Sequence, residues 1–118
     1  ILGATGTRMD HTITNIGNMK VAADCGKDCH IVDEHNYIYL LSEAVGTHII
    51  GKDSQYGRYV SIIPMSENVS LSLEGFKYTL DNYELKQGLS ICQSNEVEDE
   101  QGIIKVHKGV VIVLETKD

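Results

Sequence analysis

The sequence predicts a mainly β protein, an antiparallel, jelly-roll-like β-sandwich preceded by one helix. Only residues 7–23 repeat apolar side chains at helical spacing. Eight of the eleven glycines lie from Gly26 onward, where they separate short stretches in which apolar and polar residues alternate. Seven or so short strands with regular turn signals are typical of a sandwich or a barrel.

The composition is that of a single globular domain. The 118 residues are 42% hydrophobic and 23% charged, and 17 acidic against 10 basic side chains give a net charge of −7. Few basic groups are available to neutralise phosphates, so we expect no nucleic-acid partner, and the composition is not that of a membrane protein. Three cysteines, an odd number, and the lack of a secretory leader favour a reducing, cytoplasmic location.

The predicted helix comes first in the chain. Its apolar residues fall at steps of three and four and would form one buried face: Met9, Ile13, Ile16, Met19 and Ala23. Thr7 followed by Asp10 is a capping-box pattern that marks the start, and Gly26 supplies a stop.

The predicted strands follow the helix, at residues 37–41, 59–63, 69–73, 76–80, 89–92, 103–106 and 110–114. Residues 69–73 alternate at every step, whereas residues 110–114 are continuously apolar, which predicts a strand buried on both faces. Residues 103–106 would pair with that strand through a tight turn at residues 107–109. The acidic stretch 96–100 is most simply a solvated turn.

Residues 3–11, Gly-Ala-Thr-Gly-Thr-Arg-Met-Asp-His, form the densest cluster of potentially chemical side chains. A glycine turn before a helix offers free N–H groups to an anion, Arg8 could bind phosphate, and Asp10 could hold a magnesium ion. The alternative is a plain glycine turn with a capped helix, in which Asp10 only complements the helix dipole. The segment is not a Walker loop, because no lysine follows the second glycine at the required spacing.

The cysteines and histidines give a weak metal signal. Cys25, Cys29 and His30 lie close together and His35 follows, but the spacing is not that of a zinc knuckle, and Cys92 stands alone. We therefore expect small, partly buried cysteines rather than zinc ligands or a nucleophile.

Two further features have both a plain and a functional interpretation. Tyr78 would share a strand face with Phe76 and Leu80, which predicts either a core aromatic or a flat ring that stacks on a ligand. Residues 94–96, Ser-Asn-Glu, are hydrogen-bonding side chains that most simply belong to a turn.

Taken together, these segments resemble thiamine pyrophosphokinase, and the resemblance covers nearly the whole chain. Residues 3–12 and Asn15 are similar to the family's Gly-Ala-Thr-Gly-Gly-Arg-x-Asp-His segment and the helix after it. Residues 59–64 are similar to Tyr-Val-Ser-x-x-Pro, and residues 75–80 to Gly-x-Lys-Trp/Tyr-x-Leu. Residues 94–96, followed by Gly109 and an apolar terminal strand, complete the pattern.

The resemblance implies two domains. Residues 1–24 would be the C-terminal end, a strand end and a helix, of an ATP-binding α/β domain, and residues 25–118 a thiamine-binding β-sandwich. The family is homodimeric, with each thiamine site shared between subunits. The chain would begin inside the last strand–helix unit, without the Asp-rich segment that the family places upstream, so we expect this fragment alone to be inactive.

The same resemblance implies residue roles on the ATP side. Asp10 matches a family aspartate that binds Mg²⁺ and takes part in catalysis, and Arg8 belongs to the same catalytic loop. Gly6, Thr7 and Arg8 would contact ATP. Thr7 replaces the family's common second glycine, which stiffens the loop.

On the thiamine side, the resemblance implies contacts from Tyr78, Ser94 and Asn95. Tyr78 stands where tryptophan is also frequent, and it offers a smaller stacking face. The implied reaction is attack by the hydroxyethyl oxygen of thiamine on the β-phosphorus of ATP, with AMP leaving. The alternative is a non-enzymatic β-sandwich module that binds another flat ligand or serves as a dimerisation surface.

Overall fold

The computed structural model describes residues 8–24, 29–88 and 91–118, which form one helix and nine strands. Helix α1 spans Met9–Asp24. The strands are β1 His30–Val32, β2 Asn36–Ser42, β3 Thr47–Gly51, β4 Tyr59–Pro64, β5 Val69–Glu74, β6 Leu80–Leu85, β7 Asn95–Glu96, β8 Gln101–Lys108 and β9 Val110–Thr116. Within these ranges no helix has the length and apolar character that crossing a bilayer would need.

The strands form two antiparallel sheets that pack face to face. One sheet has the order β1-β2-β9-β4-β7 and the other the order β3-β8-β5-β6. Side chains from both sheets meet in the main core, among them Tyr39, Leu41, Val60, Ile62, Val111 and Val113 from the first sheet and Ile50, Leu71, Leu73, Leu85, Ile104 and Val106 from the second. The predicted mainly β sandwich with one preceding helix is confirmed.

Strand β9 is buried on both faces, as its apolar run predicts. Val111 and Val113 belong to the main core, and both are fully buried. Ile112 points to the opposite face, where it packs in a second cluster with Met19 of α1 and Ile38 of β2. Helix α1 therefore covers part of the outer face of the five-stranded sheet.

The predicted helix is confirmed, but only its second half has a buried apolar face. Met19 is fully buried and Ile16 partly so, whereas Met9 and Ile13 are 65% and 64% exposed and Ala23 is also exposed. Among the described residues, the helix packs mainly against β2 through the Met19 cluster. Within the described residues, the first turns of α1 have no apolar surface to pack against.

The predicted hairpin between residues 103–106 and 110–114 is wrong. Strand β8 pairs with β3 and β5, whereas β9 pairs with β2 and β4 in the other sheet. Gly109, at φ +89°, turns the chain between the sheets, and a Cβ there would lie 2.6 Å from the carbonyl oxygen of Asn68. A glycine turn between two apolar runs predicts a change of direction, but it does not say whether the runs share a sheet.

The strand predicted at residues 76–80 is also wrong. Phe76 makes one isolated bridge with Val97, and β6 begins only at Leu80. Gly75, at φ +76°, ends β5, and its carbonyl oxygen accepts the backbone N–H of Glu98 at 2.8 Å. This local pairing replaces the regular ladder that the alternating pattern predicted.

Of the strand predicted at residues 89–92, residues 89 and 90 lie outside the described residues, and Ile91 and Cys92 form a turn instead. The pattern missed β1 and β7, which have three and two residues and are too short to show alternation. It also missed β3, whose sequence Thr-His-Ile-Ile-Gly does not alternate.

The acidic stretch is exposed at residues 98–100 as predicted, but Glu96 lies in β7 and Val97 is buried.

Candidate functional site

Tyr78 and Asn95 are joined by two hydrogen bonds. The backbone N–H of Tyr78 donates to Oδ1 of Asn95 at 3.0 Å, and Nδ2 of Asn95 donates to the carbonyl oxygen of Tyr78 at 2.8 Å. Oδ1 also accepts the backbone N–H of Glu96 at 3.0 Å. Asn95 is only 5% exposed, so these bonds satisfy most of the capacity of a buried amide. Its side chain thus fixes the backbone at Tyr78.

The ring of Tyr78 lies on the surface. Tyr78 is 61% exposed, whereas Phe76, two residues earlier, is 4% exposed and belongs to the main core. Backbone bonds anchor the intervening residue, because the N–H of Lys77 donates to the carbonyl oxygen of Glu96 at 2.8 Å. The interpretation of Tyr78 as a core aromatic is therefore wrong, and the ring is available to a ligand.

Ser94 lies directly before the buried amide, on the same edge of the five-stranded sheet. Its φ is +55°, a left-handed conformation, and its N–H donates to Oγ of Ser61 at 2.9 Å. Its own side chain is exposed. The structure thus brings the three predicted thiamine-side residues, Tyr78, Ser94 and Asn95, into one region, and it buries only the last of them.

A cleft of about 430 Å³ adjoins this region and carries a group of charges. Its lining residues are Lys52, Gln55, Arg58, Lys77, Glu96, Val97 and Glu98. Nε of Arg58 donates to Oε1 of Glu96 at 2.8 Å, and this hydrogen bond lowers the pKa of the Glu96 carboxyl. The positive charges of Arg58, Lys77 and Lys52 act in the same direction. Positively charged side chains therefore lie in the cleft beside Tyr78, although the net charge of the chain is −7.

The cleft connects to the aromatic ring through Lys77. Its Nζ lies 5.7 Å from the centroid of the Tyr78 ring, within the range of a cation–π contact. Sequence reasoning missed the charged group because β4, β7 and residues 75–77 meet only after the sheets have formed. The one local signal is the position of Lys77 immediately before Tyr78.

Of the predicted ATP-side residues, Arg8 and Asp10 lie at the start of α1. Nη2 of Arg8 donates to Oδ2 of Asp10 at 2.5 Å, and both side chains are well exposed. Gly6 and Thr7 lie outside the described residues. Asp10 offers the oxygen ligands that Mg²⁺ prefers, but one carboxylate paired with an arginine is not a magnesium site by itself. Within the described ranges, no three histidine, cysteine, aspartate or glutamate side chains are grouped to hold a metal.

Sheet order separates the two sets of predicted residues. Helix α1 packs against β2, whereas Asn95 lies in β7, three strands further along the sheet. The described residues of one chain therefore do not assemble Asp10 and Tyr78 into a single site.

Fold and site together define a class, a β-sandwich ligand-binding domain that presents an exposed, backbone-anchored aromatic ring at the edge of one sheet. Residues 47–111 match the family model described as "Thiamin pyrophosphokinase, vitamin B1 binding domain". The chain belongs to this family, which confirms the resemblance found in the sequence.

Similar proteins carry the same name. The chain is 34% identical over 119 positions to thiamine pyrophosphokinase of Bacillus subtilis (strain 168), an alignment that covers 100% of this chain and 54% of the relative. It is 32% identical over 107 positions to thiamine pyrophosphokinase 1 of Oryza sativa subsp. japonica, an alignment that covers 85% of this chain and 38% of the relative. A crystal structure of thiamine pyrophosphokinase from Bacillus subtilis has a TM-score of 0.91 at 34% identity, covering 100% of this chain and 55% of that one. The chain thus spans about half the length of the Bacillus relative, and less of the rice protein.

Proposed function

We propose that this chain is the thiamine-binding part of a thiamine pyrophosphokinase, which transfers pyrophosphate from ATP to thiamine and yields thiamine diphosphate and AMP. The observation that supports this most is the exposed Tyr78 ring, whose backbone is clamped by the buried Asn95 amide. Both residues lie inside the segment that matches the vitamin B1 binding family.

Each thiamine-side residue has a distinct role in this proposal. The Tyr78 ring stacks on one of the flat rings of thiamine, a contact for which an exposed aromatic face is suited. The exposed Ser94 hydroxyl offers a hydrogen bond to the ligand. Asn95 acts chiefly as a positioning residue, because its side-chain oxygen already accepts two backbone N–H groups and its nitrogen donates to Tyr78.

On the ATP side, we propose the division into residues 1–24, the end of an ATP-binding domain, and residues 25–118, the thiamine-binding domain. Gly6, Thr7 and Arg8 would contact ATP, and Asp10 would contribute one ligand to Mg²⁺ together with carboxylates outside this chain. Magnesium, when bound, would neutralise phosphate charge. Arg8 would release Asp10 in that state and bind phosphate instead.

A homodimer accounts for the separation of the two sets of residues. Since α1 packs against β2 and Asn95 lies in β7, an active site that uses both sets is most simply shared between two subunits. We also propose a cytoplasmic location, with which the free thiols of Cys29 and Cys92 are compatible.

The activity is tested by measuring thiamine-dependent release of AMP from ATP with the full-length protein and with this chain alone. We expect turnover by the full-length protein and none by the chain, because one described carboxylate cannot bind Mg²⁺–ATP. In the full-length protein, Tyr78→Ala should raise the KM for thiamine about tenfold or more, the loss of about 1–3 kcal/mol of stacking. Tyr78→Phe is the matched control. It retains the ring and should change the KM for thiamine little. Thiamine binding without any AMP release would indicate the non-enzymatic module instead.

A further inference from the structure

A second cleft, distinct from the Tyr78 region, opens between the end of β9 and the loop that joins β3 to β4. Its volume is about 310 Å³, and its wall includes Tyr37, His48, Ile50, Gln55, Tyr56 and Glu115. Neither Tyr78 nor Asn95 contributes to it. Its apolar and aromatic wall with few polar groups, and its size, fit a small-molecule site.

The most unusual group in this cleft is the Glu115 carboxylate. Glu115 is 5% exposed, and its Oε1 accepts the backbone N–H of Tyr56 at 3.1 Å. Among the described residues, no lysine, arginine or histidine nitrogen lies within 4.0 Å of this carboxylate. Burial of a carboxylate without a counter-charge is unfavourable, so the cleft favours the entry of a cation.

One other buried polar atom of the cleft wall lacks a partner, since Oε1 of Gln55 has no hydrogen-bond partner among the described residues. The Tyr39 hydroxyl faces Glu115: burial raises the pKa of this hydroxyl, and the charge of Glu115 and a hydrogen bond with it raise that pKa further. His48 is a poor counter-ion, since burial lowers its pKa below the ordinary 6.5 and so disfavours the charged ring, although Glu115 acts in the opposite direction. The Glu115 carboxylate and Oε1 of Gln55 are both acceptors in the cleft wall that a donating ligand would satisfy.

Aromatic rings surround the carboxylate. The centroids of Tyr37 and Tyr56 are 5.8 Å apart, those of Tyr37 and Tyr39 are 5.1 Å apart, and those of Tyr39 and His48 are 5.0 Å apart. Nζ of Lys117 already lies 4.5 Å from the centroid of Tyr56, so this ring accepts a cation on one face. Aromatic faces around a carboxylate are suited to organic cations.

We propose that this cleft binds a small organic cation with N–H donors, of the primary ammonium or amidinium class. The charged end pairs with Glu115 and donates to Oε1 of Gln55, while the carbon frame packs on Tyr37 and Tyr56. The site does not depend on the proposed kinase function, because Tyr78, Ser94 and Asn95 do not line it. Gln55 lines both this cleft and the charged cleft beside Tyr78, but the kinase proposal gives it no role.

The test uses benzamidinium and its neutral, nearly isosteric counterpart benzamide, titrated at pH 7 into the chain and followed by amide NMR shifts. We expect benzamidinium to bind at least tenfold more tightly than benzamide, with shifts around Tyr56 and Glu115. Glu115→Gln retains the acceptor for the Tyr56 N–H and should weaken benzamidinium at least tenfold, with benzamide unchanged. Glu67→Gln replaces an exposed glutamate and changes the net charge by the same amount, so the binding of both probes should be unaffected.

Equal binding of the two probes, or benzamidinium binding that Glu115→Gln leaves intact, would overturn the proposal. If Glu115→Gln does not fold, Gln55→Ala replaces it, and an unchanged affinity in that variant counts equally against the site. Tyr78→Ala keeps this test separate from the kinase proposal, because it should weaken thiamine binding at least tenfold while benzamidinium binding persists. Loss of benzamidinium binding in Tyr78→Ala would show that the cleft is not an independent site.

Discussion

The Asn95 side chain holds Tyr78 by both backbone polar groups, at 3.0 Å to its N–H and 2.8 Å to its carbonyl oxygen. Tyr78 lies in an irregular segment between β5 and β6, where no sheet ladder fixes the backbone. The buried amide replaces that ladder and holds an exposed ring in one place. Preorganisation of this kind lowers the entropy cost of ligand binding.

Replacement of Asn95 by alanine should destabilise the fold. Asn95→Ala removes three hydrogen bonds, and it leaves both backbone polar groups of Tyr78 without their partner. We expect the free energy of unfolding, measured by urea denaturation, to fall by about 1 to 3 kcal/mol. Ser94→Ala, at the exposed neighbour, is the control and should change it by less than about 0.5 kcal/mol. A loss for Asn95→Ala no larger than this control would contradict the positioning role.

A methyl group at position 75 should disrupt the segment that carries Tyr78. Gly75 has φ +76°, and a Cβ there would collide with the carbonyl oxygen of Gln101. Gly88 has φ +86°, but a Cβ there meets nothing within 4 Å. Gly88→Ala should therefore cost only the left-handed strain of about 1–2 kcal/mol, whereas Gly75→Ala should cost clearly more. Equal denaturation midpoints for the two variants would show that the collision is relieved without cost.

The half-buried His48 should make stability depend on pH. Burial lowers the pKa of His48 below its ordinary 6.5, with Glu115 raising it and His30 lowering it further. Because the unfolded state then binds more protons, the free energy of unfolding falls as pH decreases from about 6.5 toward the folded-state pKa. The loss between pH 7 and pH 5, from urea midpoints, should be smaller in His48→Gln than in wild type. His11→Gln, at an exposed histidine, is the control and should behave like wild type. If the pH profile of His48→Gln were identical to that of wild type, the role of burial would be refuted.

The thiol of Cys92 should be unreactive in the folded protein. Cys92 is 2% exposed, and burial raises its pKa to about 11. We expect iodoacetamide at pH 8 to modify the half-buried Cys29 well before Cys92, with the two rates becoming similar in urea. Peptide mass spectrometry measures both sites in one sample. Equal labelling of the two thiols without denaturant would mean that this edge of the core opens readily.

Local patterns predicted the elements whose burial follows from their own sequence. The alternation in β5 correctly indicated a strand with one face in a core, and the continuous apolar run in β9 a strand covered on both sides. The pattern at residues 76–80 failed because Gly75 and the bridge from Phe76 to Val97 override it. Alternation describes the faces of a segment and carries no information about its partner.

The site was predictable only in part. Through a family resemblance, the motif around Tyr78 and the residues 94–95 pointed to residues that the structure brings together. The clamp by Asn95 and the cations beside Glu96 could not be predicted, because they arise when β7 pairs with β4 and the distant residues 75–77.

Calorimetric titration of thiamine into the full-length protein, with wild type, Tyr78→Ala and Asn95→Ala compared, tests the central claim most directly. We predict saturable binding by wild type, at least tenfold weaker binding by Tyr78→Ala because stacking is lost, and an intermediate loss for Asn95→Ala because the ring remains but is no longer fixed. Thiamine affinity that is the same in all three proteins, or no preference for thiamine over a neutral pyrimidine, would contradict the assignment of this site.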